Sequence, residues 1–278
     1  MRNTRPIFIV SSGRSGTQMM EKIFSSFPEI EIHHEYMLHH LKPAIVKYQA
    51  GLIEEPQLLD LLQRTHESSR YYSERPIWID SSYLLSWIIA PLCKVFPGAR
   101  FVHLVRDGRK VVSSFFHKLA DELYDPRSVE IIQAWLEAPN IVPEPPPEKK
   151  YWLHFPFHDP ALYARAKQEY EQFDWICQYW NDTNQSAIDA LSAIPKEQQH
   201  FVRLEELVVS PSSLEGLLNF VGVTGTKDTH KLLARPHNVG RPEDYPLTPD
   251  ESRRFTAIAG GMLERLGYAG KEEYRVTY

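Results

Sequence analysis

Pro6-Ile7-Phe8-Ile9-Val10-Ser11-Ser12-Gly13-Arg14-Ser15-Gly16-Thr17-Gln18-Met19-Met20 is the stretch on which the fold turns. Ile7 to Val10 is short, apolar and β-rich, the pattern of a strand buried on both faces. Gly13 and Gly16 permit backbone angles and close approaches that a side chain blocks. From Met19, apolar residues recur at helical spacing (Met20, Ile23, Phe24, Phe27) until Pro28 ends the run. A strand feeding a helix through such a loop aims several N–H groups at one point, and the helix dipole adds positive charge there. The stretch therefore predicts an anion site, best suited to phosphate, with Arg14 beside it. It is not the G-x-x-x-x-G-K-[ST] phosphate loop, because the cation precedes the second glycine. Taken alone, it also fits a plain strand–helix turn with no ligand.

The 278 residues are 42% hydrophobic and 24% charged, enough for one large α/β domain with a substantial core. The formal net charge of -5 argues against general binding to nucleic acid or anionic membrane. Cys93 and Cys177 lack metal-ligand spacing and read as reduced core residues. A strand by Ile7 leaves no room for a signal peptide, and no apolar run is long enough to cross a bilayer. The expected setting is cytoplasmic. Nothing in the sequence sets the oligomeric state.

Along the chain, Ile30-Glu31-Ile32 reads as a strand leading to His33-His34-Glu35-Tyr36. Leu38 to His66 reads as helical, punctuated by Pro43 and Pro56. Pro76 to Asp80 is a strand, with Ser81 and Ser82 placed to cap a helix over Leu84–Phe96. Ala99 to Arg106 is a strand, Asp107-Gly108 a turn, and Lys110 to Leu119 a helix. This second strand–loop–helix unit repeats the plan of the first and implies a parallel sheet with crossover helices. Ligands of such sheets bind beyond the carboxyl ends of the strands, so both loops face one crevice. Asp121 to Asp159 is too proline-rich for regular core structure and too aromatic for a plain linker, and reads as an ordered excursion or lid. Helices are expected over 160–193, 212–221 and 249–266, with a strand over 199–204. No domain boundary is visible, so residues 1–278 read as one domain.

Arg106 ends its strand and Ser114 follows eight positions later, two helical turns on. A guanidinium fork and a short hydroxyl can meet on one phosphate if that helix packs back over the sheet. With the first loop this gives two anion sites, suited to one molecule carrying two separated phosphate-like groups.

These motifs resemble those of the sulfotransferases that use 3′-phosphoadenosine 5′-phosphosulfate (PAPS). Ser12-Gly13-Arg14-Ser15-Gly16-Thr17-Gln18 resembles that family's 5′-phosphosulfate loop, and Leu104 through Ser114 its 3′-phosphate motif, including the Arg-to-Ser spacing. Phe201-Val202-Arg203-Leu204-Glu205-Glu206-Leu207 is similar to the strand before the family's terminal helices. Asn238-Val239-Gly240-Arg241 is similar to its late cofactor-closing loop. The resemblance implies an α/β fold with a central parallel sheet flanked by helices, a three-layer sandwich of the P-loop NTPase kind. It implies that PAPS is the sulfuryl donor and that no metal is needed. Arg14 is implied to stabilise the leaving phosphate, where many relatives carry lysine. Ser15, Gly16, Thr17 and Gln18 are implied to hold the 5′-phosphate. Arg106 and Ser114 are implied to hold the 3′-phosphate, with Asn238, Gly240 and Arg241 closing the site. Gln18 departs from a usual hydroxyl residue, and Leu204 from a usual tyrosine near the adenine.

The family's carbohydrate-directed members place a glutamate after the second strand as the base that takes the acceptor proton. Glu35 falls there, and His34 is the second candidate. The same residues also read as a polar strand end without a catalytic part. Asp80 reads first as a helix cap and second as an acceptor-positioning group. His39, His40, His103 and His117 read as structural or solvated, and the His-rich run lacks a tetrahedral metal set. Tyr151 to Phe157 either line an acceptor pocket or pin the excursion to the body. By resemblance the acceptor is a carbohydrate, glycolipid or other alcohol. A nucleotide kinase or NTPase of related fold, and a non-catalytic nucleotide-binding module, are the competing readings. The missing Gly-Lys-Ser/Thr triplet weighs against the first, and intact Arg14, Arg106 and Ser114 against the second.

Overall fold

The computed structural model describes residues 4–153, 160–226, 229, 231–232 and 245–272. Its strands are β1 (Arg5–Val10), β2 (Ile30–His34), β3 (Ile77–Ser82), β4 (Arg100–Val105) and β5 (Gln199–Arg203). They form one sheet in the order β2-β3-β1-β4-β5, and every pairing is parallel. Parallel neighbours require crossovers, and the crossovers here are helical. Side chains alternate across the sheet. Phe8, Val10, Trp78, Phe101 and Val105 enter one apolar cluster, and Ile7, Ile9, Ile77, Ile79, Val102 and Leu104 the other. Each cluster is closed by helices, so the sheet is the middle of three layers. This is the expected α/β class.

On the second cluster's side lie α1 (Thr17–Phe24) and, late in the chain, α11 (Pro211–Val221). The broader first cluster is covered by α2 (Leu38–Gln49), α3 (Glu55–Leu62), α5 (Ile89–Val95), α7 (Pro126–Glu137), α9 (Gln172–Ser192) and α12 (Pro249–Arg265). Helices α4 (Ser68–Tyr72), α6 (Gly108–Ser113), α8 (Pro160–Glu169) and α10 (Leu204–Val209) complete the set among the described residues. Among those residues no helix is long and apolar enough to cross a membrane.

Four expected elements are divided, for local reasons. The run over 38–66 splits at Gly51, in the left-handed region at φ 71°, and restarts at the Glu54 capping box with Pro56 in the first turn. It then loosens into a π-helical turn, Gln63–Glu67. The helix expected from Leu84 begins as a 3₁₀ turn (Tyr83–Trp87), and α5 starts only at Ile89. Pro91 has no N–H and its ring collides with the carbonyl four residues back. That carbonyl, on Trp87, instead accepts from Gln49 Nε2 at 3.1 Å. The helix expected over 160–193 is α8 and α9, separated where Glu171 and Asp174 form a capping box. The helix expected over 110–119 is α6 followed by a second π-helical turn, Ser114–Lys118.

The excursion after Asp121 holds more regular structure than its prolines suggest. Asp125 caps α7 with Pro126 in its first turn, and Ile132 and Trp135 enter the core. Trp152 is fully buried. It packs edge-on to Trp135 with ring centroids 5.0 Å apart, and its indole N–H donates to the carbonyls of Pro145 and Pro146, both at 3.1 Å. Lys47 of α2 pairs with Glu144 at 2.9 Å. Trp152 therefore pins this segment to the body. The aromatics beyond 153 lie outside the described residues. Cys177 is buried as expected, whereas Cys93 is only half-buried, and both are free thiols.

Candidate active site

The carboxyl ends of β1, β3 and β4 lie side by side in the sheet, where the strand order reverses direction. The loop after β1 is clamped from within. Ser15 Oγ donates to the Gly13 carbonyl (2.9 Å), and Gly13 N–H donates to Ser11 Oγ (3.1 Å). It is also clamped from without, because the Ser86 hydroxyl donates to the Ser11 carbonyl (2.8 Å) and the Tyr179 hydroxyl to the Ser12 carbonyl (3.1 Å). Gly13, Arg14 and Gly16 all take positive φ, at 76°, 51° and 98°. A Cβ on Gly16 would sit 2.8 Å from Leu204 Cδ1, so Leu204 lies directly over this glycine. Gly16 is the N-cap of α1, and no side chain closes that helix end. An open N-terminus is a site of positive potential with unshared N–H groups.

Arg14 joins the two sequence motifs. Its Nε donates to Ser114 Oγ at 3.0 Å, and its carbonyl accepts from Arg106 Nη1 at 2.9 Å. Residues about a hundred positions apart thus meet at the sheet's carboxyl edge. Ser15 is fully buried, and its hydroxyl shapes the loop rather than facing outward. Thr17 Oγ1 lies 3.0 Å from His34 Nε2, and Gln18 is half-buried in the same first turn. Asn238, Gly240 and Arg241 lie outside the described residues.

Glu35 stands beyond the end of β2, beside this loop. Its Oε1 is 3.9 Å from His34 Nε2, and its N–H donates to the Ser81 carbonyl at 3.1 Å. Its φ is 56°, and Met37 two residues on has the same value. Each left-handed non-glycine residue costs about 1–2 kcal/mol, and such strain concentrates at functional sites. Burial raises the Glu35 carboxyl above the ordinary range. His34 opposes the rise, Asp80 adds to it, Lys42 opposes it and Glu21 adds to it. Lys42 is only 4% exposed. Burial lowers its ammonium pKa, and Glu35 and Glu148 raise it. The Tyr83 and Tyr179 hydroxyls are pushed up, chiefly by burial, and both feel the Glu35 charge.

One sequence expectation changes here, and for His103 the structural reading holds. Asp80 does not cap a helix: it lies within β3, fully buried, and Ser82 Oγ is the cap that accepts from Leu84 N–H at 3.2 Å. His103 is a core residue whose ring faces Asn184 Oδ1 at 3.3 Å, and burial holds its pKa down at about 4. Lys42, Tyr83, Tyr179 and His66 escaped the sequence reading. They carry no motif, and only the tertiary fold brings Lys42, Tyr83 and Tyr179 under the Glu35 charge and His66 against Asp80.

Residues 6–139 match the model of the sulfotransferase family. No curated protein matches the sequence. Among solved structures, the chain is similar to a sulfotransferase from Alicyclobacillus acidocaldarius, with 17% identity over 95% of this chain and 94% of that one and a TM-score of 0.53. It is also similar to sulfotransferase STF9 from Mycobacterium avium, with 14% identity over 99% of this chain and 79% of that one and a TM-score of 0.54. At these identities the likeness is one of fold. The matched segment, just under half of the chain, carries the glycine loop, the Glu35 turn and Arg106 with Ser114, and over it the chain is similar to the sulfotransferase family.

Proposed function

We propose that this protein transfers a sulfuryl group from PAPS to an acceptor hydroxyl, with Glu35 as the base and Arg14 at the leaving phosphate. The observation that carries the reading is the junction at Arg14, which touches both Ser114 and Arg106 beside the uncapped N-terminus of α1. The open helix end and its loop suit the 5′-phosphosulfate, and Arg106 and Ser114 suit the 3′-phosphate. Asn238, Gly240 and Arg241 are assigned to the same nucleotide by family resemblance.

The acceptor oxygen attacks sulfur, and the bond from sulfur to the bridging oxygen breaks. The acceptor proton passes to a Glu35 carboxylate oxygen, and the negative charge left on the bridging oxygen is met by Arg14 and the helix end. A carboxylate partly withdrawn from water is a stronger base than a solvated one, which is the use of the burial at Glu35. His34 stands 3.9 Å away as the alternative base. The acceptor class proposed is a carbohydrate, glycolipid or other alcohol. Residues 1–278 act as one domain, and a cytoplasmic setting is proposed with it.

Adenosine 3′,5′-bisphosphate, the desulfated product, should stabilise the protein by about 2.7 kcal/mol when present at 100 times its Kd. ATP should do so far less. Equal protection by ATP overturns the donor assignment. Glu35→Gln should abolish transfer to any acceptor found by screening alcohols with labelled donor, while bisphosphate affinity holds. Full activity in that variant moves the role to His34.

A further inference from the structure

Against the backbone of the Glu35 turn lies a buried ionisable pair that the proposed reaction does not use. Asp80 and His66 are both fully buried, with Asp80 Oδ2 3.2 Å from His66 Nε2. His66 enters the core from the π-helical turn Gln63–Glu67. Such turns in otherwise α-helical runs are frequent at functional sites. Asp80 Oδ1 accepts from the backbone N–H of Tyr36 at 3.2 Å. Tyr36 is the residue between Glu35 and Met37, the two left-handed positions.

The protons of this network can be counted from its donors and acceptors. The Thr65 hydroxyl has one proton and directs it to the Leu61 carbonyl at 2.7 Å. Toward His66 Nδ1, 2.9 Å away, the Thr65 oxygen is therefore an acceptor. At the other end of the ring, the carboxylate of Asp80 is also an acceptor. The ring is satisfied on both sides only with one proton on Nδ1 and one held between Nε2 and Oδ2. That arrangement leaves the pair with no net charge, the condition under which a buried carboxylate is tolerable. Aromatic rings enclose it. Tyr36 and Trp78 meet the His66 ring edge-on at 5.2 and 5.8 Å, and His33 packs on Tyr36 at 4.7 Å.

We propose that Asp80 and His66 are positioning residues for Glu35: the carboxylate pins the strained turn through Tyr36 N–H, and the imidazole keeps that carboxylate buried and fixed. The turn is intrinsically unfavourable and needs an anchor that water cannot replace. Asp80 supplies it from the neighbouring strand, and His66 makes it possible to bury a charge there. The charged and titratable groups that act on Glu35 are His34, Asp80, Lys42 and Glu21, and of these only Asp80 is tied to the turn's own backbone. The catalytic meaning of the pair rests on the reading of Glu35 as base, but its existence does not.

The test reads Glu35 itself. In protein carrying ¹³C-labelled glutamate, the Glu35 carboxyl signal is the one absent from Glu35→Gln. Asp80→Ala removes the anchor, so the turn relaxes toward water and the Glu35 titration midpoint should fall toward that of a solvated carboxylate. Asp80→Asn keeps an oxygen for Tyr36 N–H and turns an amide donor toward His66. It should fold normally, lower the midpoint by less, and strip the proton from His66 Nε2, visible in its ¹⁵N shift. Adenosine 3′,5′-bisphosphate should bind both variants within about threefold of the parent Kd, as expected for residues remote from the nucleotide. An unmoved Glu35 midpoint in Asp80→Ala overturns the proposal. So does bisphosphate affinity falling in step with the midpoint, which would make the pair a support of the whole sheet end. Loss of transfer in Glu35→Gln is scored separately, so a failure of the base assignment and a failure of the positioning pair give different results.

Discussion

The loops after β1 and after β4 look in sequence like two copies of one device, a strand, a glycine-containing turn and a helix. Their helix ends are built in opposite ways. The N-terminus of α1 begins at Gly16 in the left-handed region with no side-chain cap, so its N–H groups and dipole are offered outward. The N-terminus of α6 is closed: Asp107 Oδ1 accepts from the Arg109 N–H at 3.0 Å, and the same carboxylate pairs with the Arg109 guanidinium at 2.6 Å. Asp107 is itself almost fully buried, and its N–H donates to Glu205 Oε1 at 3.0 Å. A carboxylate sitting on a helix end occupies the place an anion would take. The first loop can therefore hold a phosphate by backbone, whereas the second must hold one by side chains, Arg106 before the helix and Ser114 beyond it. On the proposed assignment, one ligand with two anionic ends is met by two different chemistries.

Arg106→Ala separates them most sharply. A charge-assisted bond to phosphate is worth about 1.5–3 kcal/mol, which is roughly 10- to 140-fold in affinity. The substitution also removes the hydrogen bond that holds the Arg14 carbonyl. Calorimetry should show adenosine 3′,5′-bisphosphate binding weakened by about 100-fold, with adenosine 5′-phosphate much less affected because it lacks the 3′ group. Equal losses for both nucleotides would mean that Arg106 serves the β1 loop, and that the division between the two loops is wrong.

Gly16→Ala attacks the backbone side of the comparison. At φ 98° an alanine is strained, and its Cβ would stand 2.8 Å from Leu204 Cδ1, a flexible side-chain end that can shift. A loss of about 1–2 kcal/mol in stability follows from the backbone alone. Relaxing the strain re-aims the first N–H groups of α1, so bisphosphate affinity should drop by roughly tenfold. Chemical denaturation and calorimetry check the two numbers. Unchanged affinity in a folded protein would show that the helix end does not contact the ligand.

How much of this was legible beforehand follows from the range of the signals. β1, β3 and β4 were readable as short β-rich runs buried on both faces, and the edge strands β2 and β5 as shorter mixed runs beside turns or polar ends. The union of Arg14, Arg106 and Ser114 was readable because each follows a strand that must end at the same sheet edge. Helix lengths were overestimated wherever a non-local partner ends the run, as Gln49 does by taking the Trp87 carbonyl. His66 was invisible. Its role depends on a π-helical turn and on Asp80, fourteen residues away and on a different element. Asp80 was seen at the right place but given the wrong partner, because a carboxylate next to serines reads locally as a cap. The competing demand, a strained turn in the neighbouring strand, is a fact of sheet pairing.

The smallest effect on binding is expected at the closed helix end, where the comparison is most exposed to error. Asp107→Ala deletes the cap of α6 and leaves Arg109 without its carboxylate. A lost cap costs about 1 kcal/mol, and stripping a nearly buried ion pair of one partner adds to that, because the remaining charge must find water or another acceptor. Arg109 is only partly buried and also donates to the Lys271 carbonyl, so it has a route to solvent and the addition stays modest. Stability should therefore fall by roughly 1–3 kcal/mol, while the bisphosphate Kd stays within about threefold of the parent value. If α6 instead bound phosphate at its N-terminus, removing the competing carboxylate would open that end and tighten binding well beyond threefold. A tighter variant would mean that Asp107 is a gate on a second backbone site. An unchanged Kd with lower stability means that α6 is closed for the sake of the fold, and that the second contact is made by side chains such as Arg106 and Ser114 rather than by the helix end.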